Sequence, residues 1–90
     1  MNKQRRKNIN EIIPRIETLM QELEYLKEDV DTILSEEQEY LDNIPENLQG
    51  SERYEIAESA ISNLEDSMDQ IDDAIAALEE SKTHLEDATA

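Results

Sequence analysis

The sequence predicts an all-α fold, an antiparallel two-helix coiled-coil hairpin, on three observations. Residues 60–87 repeat one heptad four times, in the order g-a-b-c-d-e-f, with a small residue at g and acids at e and f. Residues 9–42 carry a second apolar repeat of the same period. The only glycine and one of the two prolines fall between these segments. Apolar residues at a and d predict a packing seam, and a single break lets one helix fold back on the other.

The first helix is predicted over residues 9–42, with Asn8 or Asn10 able to cap its start. Its apolar residues occupy three rows, of which a and d are assigned to the seam and e is left over. The a row is Ile9, Ile16, Leu23, Val30, Glu37 and Ile44, the d row is Ile12, Leu19, Leu26, Ile33 and Tyr40, and the e row includes Ile13, Met20, Leu34 and Leu41. Residues 1–8 form a basic head, interpreted as a flexible tail or as a counter-charge for Glu86 and Asp87.

The turn is predicted over residues 43–51. Pro45 disfavours helical geometry at Ile44, so the first helix ends near Asp42. A short helical turn through Leu48 follows, and Gly50 is expected to let the chain reverse. Ser51 is the predicted N-cap of a second helix over residues 52–88.

Antiparallel pairing places Leu23 opposite Ile71, Ile33 opposite Ile61 and Tyr40 opposite Tyr54. A half-buried seam of this kind is weak against chain entropy. The spare e row and the small g row of the second helix therefore predict a second packing surface, through which a homodimer forms a four-helix bundle. The g row is Ala60, Ser67, Ala74, Ser81 and Ala88. A monomeric hairpin is the alternative.

The net charge of -16 is unevenly distributed along the chain. Residues 1–15 carry five cations and one acid, whereas residues 16–90 carry 23 acids and three cations. Such a surface repels nucleic acid and anionic membranes and attracts basic proteins, unless the acids serve only solubility. No apolar stretch reaches ~18 residues and there is no cysteine. We therefore expect a soluble cytoplasmic protein without disulfides that binds neither DNA nor membrane directly.

The sequence contains no set of residues with the types and spacing that a catalytic site requires. There is no glycine-rich phosphate loop, and the single histidine, His84, cannot supply the paired Glu-x-x-His motifs of di-iron bundles. Asp69, Asp72 and Asp73 lack the glycine and spacing of a calcium loop. The sequence predicts no enzymatic activity, no cofactor and no metal.

The turn sequence Asp42-Asn43-Ile44-Pro45-Glu46-Asn47-Leu48-Gln49-Gly50-Ser51-Glu52-Arg53-Tyr54-Glu55, followed by Ala-Ile-x-x-Leu-Glu blocks, resembles small acidic proteins of phages and integrated elements in Gram-positive and gut bacteria. The resemblance covers residues 42–87. It implies an origin in a mobile element and a bacterial host cell, and it carries over no catalytic residue. Small acidic proteins of that setting include DNA mimics with anti-CRISPR or anti-restriction activity, so the analogy is one of class.

These features predict a non-enzymatic inhibitor that acts as a DNA mimic on a basic, nucleic-acid-binding surface of a host defence protein. The acidic edge of the second helix is the predicted binding site: Glu65, Asp66, Asp69, Asp72, Asp73, Glu79 and Glu80. One alternative is a structural or scaffolding coiled coil of a phage or mobile element. Another is a small regulator that contacts nucleic acid through its basic head.

Overall fold

The computed structural model describes all 90 residues and consists of two long helices joined by a short turn. Helix α1 spans Lys3–Asp42 and helix α2 spans Glu52–Ala88, with a single 3-10 turn at Glu46–Leu48 between them. The helices pack against each other along their length as an antiparallel hairpin that measures 70 × 15 × 14 Å. The predicted all-helical hairpin is confirmed.

Helix α1 begins at Lys3, earlier than the residue-9 start expected from its apolar pattern. Asn2 is the N-cap instead of Asn8 or Asn10, and its Oδ1 accepts a hydrogen bond of 2.8 Å from the Arg5 N–H. The side-chain amide of Gln4 donates to Asn8 Oδ1 at 3.0 Å on the next turn. The basic head is therefore helical. The first N–H groups of a helix lack partners within it, and Asn2 accepts a hydrogen bond from one of them, so the helix starts here and not at a later cap.

The turn brings one apolar residue under the helix ends. Asn43 closes α1 with its N–H on the Glu39 carbonyl, and Ile44 is only 4% exposed. Ser51 caps α2, since its Oγ accepts a hydrogen bond of 3.3 Å from the Tyr54 N–H. No residue has positive φ, and a Cβ on Gly50 would meet nothing within 4 Å. The chain reversal therefore does not use the conformational freedom of Gly50, contrary to the expectation from sequence.

The seam of α1 is formed by its a and e rows, so the assignment of the d row to the seam is wrong. Leu34, at e, is 8% exposed, whereas its neighbour Ile33, at d, is 52% exposed. The whole d row is 39–52% exposed: Ile12, Leu19, Leu26, Ile33 and Tyr40. The e row is buried or half-buried: Ile13, Met20, Lys27, Leu34 and Leu41.

The difference amounts to a rotation of α1 about its own axis. At ~100° per residue, the e row lies about 40° to one side of the a row and the d row about 60° to the other. Both rows are apolar except for Lys27 in the e row, whose stem can still pack, so either pair makes a continuous stripe. A seam formed by the a and e rows runs from Leu41 directly to the buried Ile44. It also places Lys27 within reach of Asp72. On α2 the a and d rows face α1 as predicted, as shown by the burial of Ala57 and Ile61.

The core is thin and lies at one end of the rod. Only Leu34, Ile44, Ala57 and Ile61 are buried, and all four lie in the half of the hairpin nearest the turn. The remaining seam residues are half-buried. Full burial of a large side chain stabilises by about 1.5–3 kcal/mol, and half-buried side chains contribute less. The free energy gained from burial in this seam therefore only slightly exceeds the conformational entropy lost on folding.

Candidate acidic binding face

Two ion pairs join the helices on one side of the hairpin. Lys27 Nζ lies 2.7 Å from Asp72 Oδ1, and Lys82 Nζ lies 4.0 Å from Glu17 Oε2. Each lysine has its stem in the seam and its ammonium group at the surface, an arrangement common for long cationic side chains. Their acidic partners therefore identify the side of the rod on which carboxylates of both helices converge, which we call the acidic face.

All seven predicted binding residues are exposed on α2. Glu65, Asp72 and Glu79 occupy its e row, Asp69 lies at b, and Asp66, Asp73 and Glu80 form the adjoining f row. The e row lies next to the seam on the side of the Lys27–Asp72 pair. The structure thus brings the e and b members together on the acidic face, with the f row at its margin.

Helix α1 adds acids that the sequence-based prediction did not include. Glu24, Glu28 and Asp31 line one shallow depression together with Lys27 and with Met68 of α2. Glu17 and Glu24 line the next depression with Ile75 and Lys82. The available signal was the seven-residue spacing of Glu17, Glu24 and Asp31 in the b row of α1. That signal could be read only after the rotation of α1 was known.

The electrostatics of the acidic face act most clearly on Lys27. The pKa of its ammonium group is raised above the ordinary 10.5, first by the hydrogen bond to Asp72 and then by the charges of Asp72, Glu24 and Asp31, while partial burial opposes the shift. The ammonium is therefore held in its charged form and is shared among several carboxylates. A ligand that contacts Asp72 competes with this internal cation, whereas Asp66, Asp69 and Asp73 have no such partner.

No three His, Cys, Asp or Glu side chains are placed together to hold a metal ion. His84 is exposed. At the turn, the guanidinium carbon of Arg53 lies 5.3 Å from the ring centroid of Tyr40, a cation–π contact. The exposed carboxylates on this scaffold can bind cationic groups by charge-assisted hydrogen bonds.

The basic head is exposed and unpaired. Lys3, Arg5, Arg6 and Lys7 form no salt bridge, because the two pairs at Lys27 and Lys82 are the only ones in the molecule. The expected neutralisation of Glu86 and Asp87 by direct ion pairs is therefore not found. The rod has a positively charged end and a long negative body.

The side opposite the acidic face is uncharged over most of its length. It consists of the exposed d row of α1 and the g and c rows of α2, and we call it the apolar face. Tyr40, Arg53 and Ile56 line a common depression, which places these three rows on one side. The three rows contain no Asp or Glu, and Arg5 and Arg53 are their only Lys or Arg residues. Charged residues border them, with Glu37 and Glu52 in the same depression and the g row of α1 alongside: Arg15, Glu22, Asp29 and Glu36. The hairpin is thus two-sided: carboxylates of both helices converge on one face, and a row of exposed apolar side chains runs along the other.

Neither helix contains a stretch long and apolar enough to span a membrane. No protein family, curated protein sequence or solved structure matches the chain.

Proposed function

We propose that this protein is a non-enzymatic inhibitor whose acidic face occupies a basic, nucleic-acid-binding surface of another protein. The observation that carries the proposal is the convergence of carboxylates from both helices on one side of a straight rod. Four acids from α1 join seven from α2 within about 22 Å of helix, given ~1.5 Å per residue. These acids are Glu17, Glu24, Glu28, Asp31, Glu65, Asp66, Asp69, Asp72, Asp73, Glu79 and Glu80.

The charge density of this surface is close to that of duplex DNA. Eleven carboxylates in about 22 Å correspond to one charge per ~2 Å, and DNA carries one per ~1.7 Å of axis. Lys27 and Lys82 lower the net value modestly. The acids form two lines, one on each helix, whose axes lie roughly 8–10 Å apart, a spacing between the ~6 and ~12 Å widths of the DNA grooves.

The class of target follows from this chemistry. A cleft lined by Lys and Arg that holds a nucleic-acid backbone presents cations in lines, and an acidic rod of similar charge density can compete for it. In the setting implied by the turn sequence, the target is a defence enzyme in the cytoplasm of a bacterial host, and the inhibitor is encoded by a phage or mobile element. The anti-CRISPR and anti-restriction classes are the functional analogues.

Neutralisation of the acidic face tests the proposal. Asp66→Asn, Asp69→Asn and Asp73→Asn together remove three charges without touching the Lys27–Asp72 pair. The matched control is Glu22→Gln, Asp29→Asn and Glu36→Gln, which removes three charges from the g row of α1. Wild type and control should capture a nucleic-acid-binding protein from host lysate, with duplex DNA as competitor, and the acidic-face variant should lose at least tenfold in affinity. Equal capture by both triple variants, or capture insensitive to DNA and salt, would exclude the mimic.

The unpaired basic head supports a second candidate, a small regulator that contacts nucleic acid directly. Arg5, Arg6 and Lys7 are free to bind phosphate, although the body of the rod repels it. A fluorescent DNA duplex titrated at low salt separates the candidates, because only the regulator should bind DNA alone and lose binding on Arg5→Gln and Arg6→Gln. A scaffolding protein would bind neither DNA nor the basic target and would act through its apolar face.

A further inference from the structure

The apolar face leaves five large side chains half exposed at intervals of seven residues along α1. The rotation of α1 that buries the e row makes the d row, and not the e row, the free packing surface. We propose that the apolar face binds the apolar face of a second copy, antiparallel and with the two turns at opposite ends, to form a four-helix bundle. This proposal does not depend on the target of the acidic face, which stays outward on both sides of the dimer.

The shape of the face fits a second copy of the same rod. A seven-residue repeat packs along its whole length against helices of the same period, and a second copy of this chain supplies two of them. Hairpins of 70 × 15 Å laid face to face cover up to roughly 1,000 Å² per copy, against the ~800 Å² per partner of a standard interface. The d row of α1 and the g and c rows of α2 contain no acid, so in association of two chains of net charge -16 only the bordering g row of α1 brings carboxylates of the two copies near each other.

A two-fold axis perpendicular to the helices fits the residue pattern. Leu26 is the midpoint of the d row, so in this arrangement it meets Leu26 of the second copy. Leu19 then meets Ile33, and Ile12 meets Tyr40, so every layer pairs two large side chains. The small g row of α2 meets itself across the same axis, with Ser67 near the centre, and lets those helices approach closely.

Charge selects this arrangement over the one with both turns at the same end. Turns at opposite ends bring the unpaired basic head of each copy to the turn of the other, where Glu39, Asp42 and Glu46 lie. In the g row of α1, which borders the interface, Arg15 comes opposite Glu36 of the second copy and Glu22 opposite Asp29, so the attractive and repulsive contacts of that row offset each other and the ends of the rods decide the orientation. Turns at the same end would instead place the two basic heads side by side and leave the acids of both turns together, which is repulsive.

A matched pair of surface substitutions tests the interface. Leu26 and Tyr25 are neighbours on α1, are 49% and 57% exposed, and lie on and off the apolar face respectively. By light scattering, wild type and Tyr25→Glu should have a mass of about 21 kDa, twice the 10.4 kDa of one chain, and Leu26→Glu should have the mass of one chain. Circular dichroism should show helices in all three. A wild-type monomer at 0.5 mM protein, or an unchanged Leu26→Glu dimer, would overturn the proposal.

The orientation of the copies can be tested by disulfide formation, because the chain has no native cysteine. Leu26→Cys lies on the two-fold axis, where facing helices bring Cα atoms within the ~4.4–6.8 Å that a disulfide needs. Mild oxidation should convert most of this variant to a covalent dimer, whereas Asp69→Cys on the acidic face should remain monomeric on a non-reducing gel. If only the double variant Leu26→Cys with Ser67→Cys links two copies, the turns lie at the same end and the proposed arrangement is wrong.

Discussion

Lys27 Nζ lies 2.7 Å from Asp72 Oδ1 and joins the two helices near the middle of the rod, far from the buried residues at the turn. It is the closer of the two interhelical ion pairs, and its cation occupies a row that is otherwise apolar. The Lys27 side chain lies at the boundary between the seam and the acidic face. Its stem packs in the seam, and its ammonium group adds a positive charge to the surface.

The stability due to this pair should depend on pH in the alkaline range. The pKa of Lys27 is raised in the folded protein by its hydrogen bond to Asp72, so folding favours the protonated form. The contribution is therefore complete below the unfolded value of about 10.5 and is lost as pH rises through the higher folded value. The difference in melting temperature between wild type and Lys27→Gln should be constant from pH 7 to 9 and shrink above pH 10.5. A difference that grows in that range would contradict the assignment.

Adjacent residues of α1 should differ sharply in their effect on the hairpin. Leu34→Ala removes a buried side chain and should destabilise folding by about 2–3 kcal/mol, the low end for Leu→Ala because the core is thin. Ile33→Ala removes an exposed one and should cost less than about 1 kcal/mol. Urea unfolding in a Leu26→Glu background prevents the proposed dimer from contributing to the measurement. A larger loss of stability for Ile33→Ala than for Leu34→Ala would indicate that the seam is formed by the a and d rows, as predicted from the sequence.

The turn should tolerate a larger residue at its glycine. Gly50 has no positive φ and open space around its Cβ position, so Gly50→Ala should stabilise the fold by about 0.4–1 kcal/mol through the unfolded state. Ser51→Ala, one residue further, should instead destabilise by about 0.5–2 kcal/mol, because the Tyr54 N–H loses its acceptor. Thermal melts of the two variants give the comparison, and a destabilised Gly50→Ala would show that the turn does need glycine.

Salt should stabilise the isolated hairpin. With a net charge of -16 and only two ion pairs, repulsion among carboxylates exceeds the attraction that screening removes. Raising the ionic strength from 0.01 to 0.5 M shortens the screening length from ~30 Å to less than ~8 Å. The urea midpoint of the Leu26→Glu variant should therefore increase with sodium chloride. Binding of the acidic face to a basic target should weaken over the same range, which separates folding from function.

The helix ends on either side of the turn were predictable because their causes are local. Pro45 and the hydroxyl of Ser51 each act within a few residues, and both boundaries fall where those residues place them. The predicted start of α1 at residue 9 is too late, because the cap at Asn2 precedes the apolar repeat from which the start was predicted. The apolar repeat cannot show where a helix begins when the first turns are polar and exposed to solvent.

The rotation of α1 could not be obtained from its own sequence. Its d and e rows are both apolar, so two seams of similar hydrophobicity flank the a row. The choice depends on contacts outside the helix, such as Ile44 under the turn and Asp72 opposite Lys27. The α1 half of the acidic face was missed for the same reason, since Glu17 and Glu24 join the α2 acids only in the observed rotation.

The position of the four buried residues near the turn also determines the order in which the hairpin assembles. A turn of nine residues closes at small entropic cost, and the firmest contacts lie next to it, so folding should begin there and proceed toward the free ends as a zipper closes. Opening should run in reverse, with amide hydrogens near Arg6 and Leu85 exchanging sooner than those near Leu34 and Ile61. The charged head is thus carried on the part of the rod that opens most often.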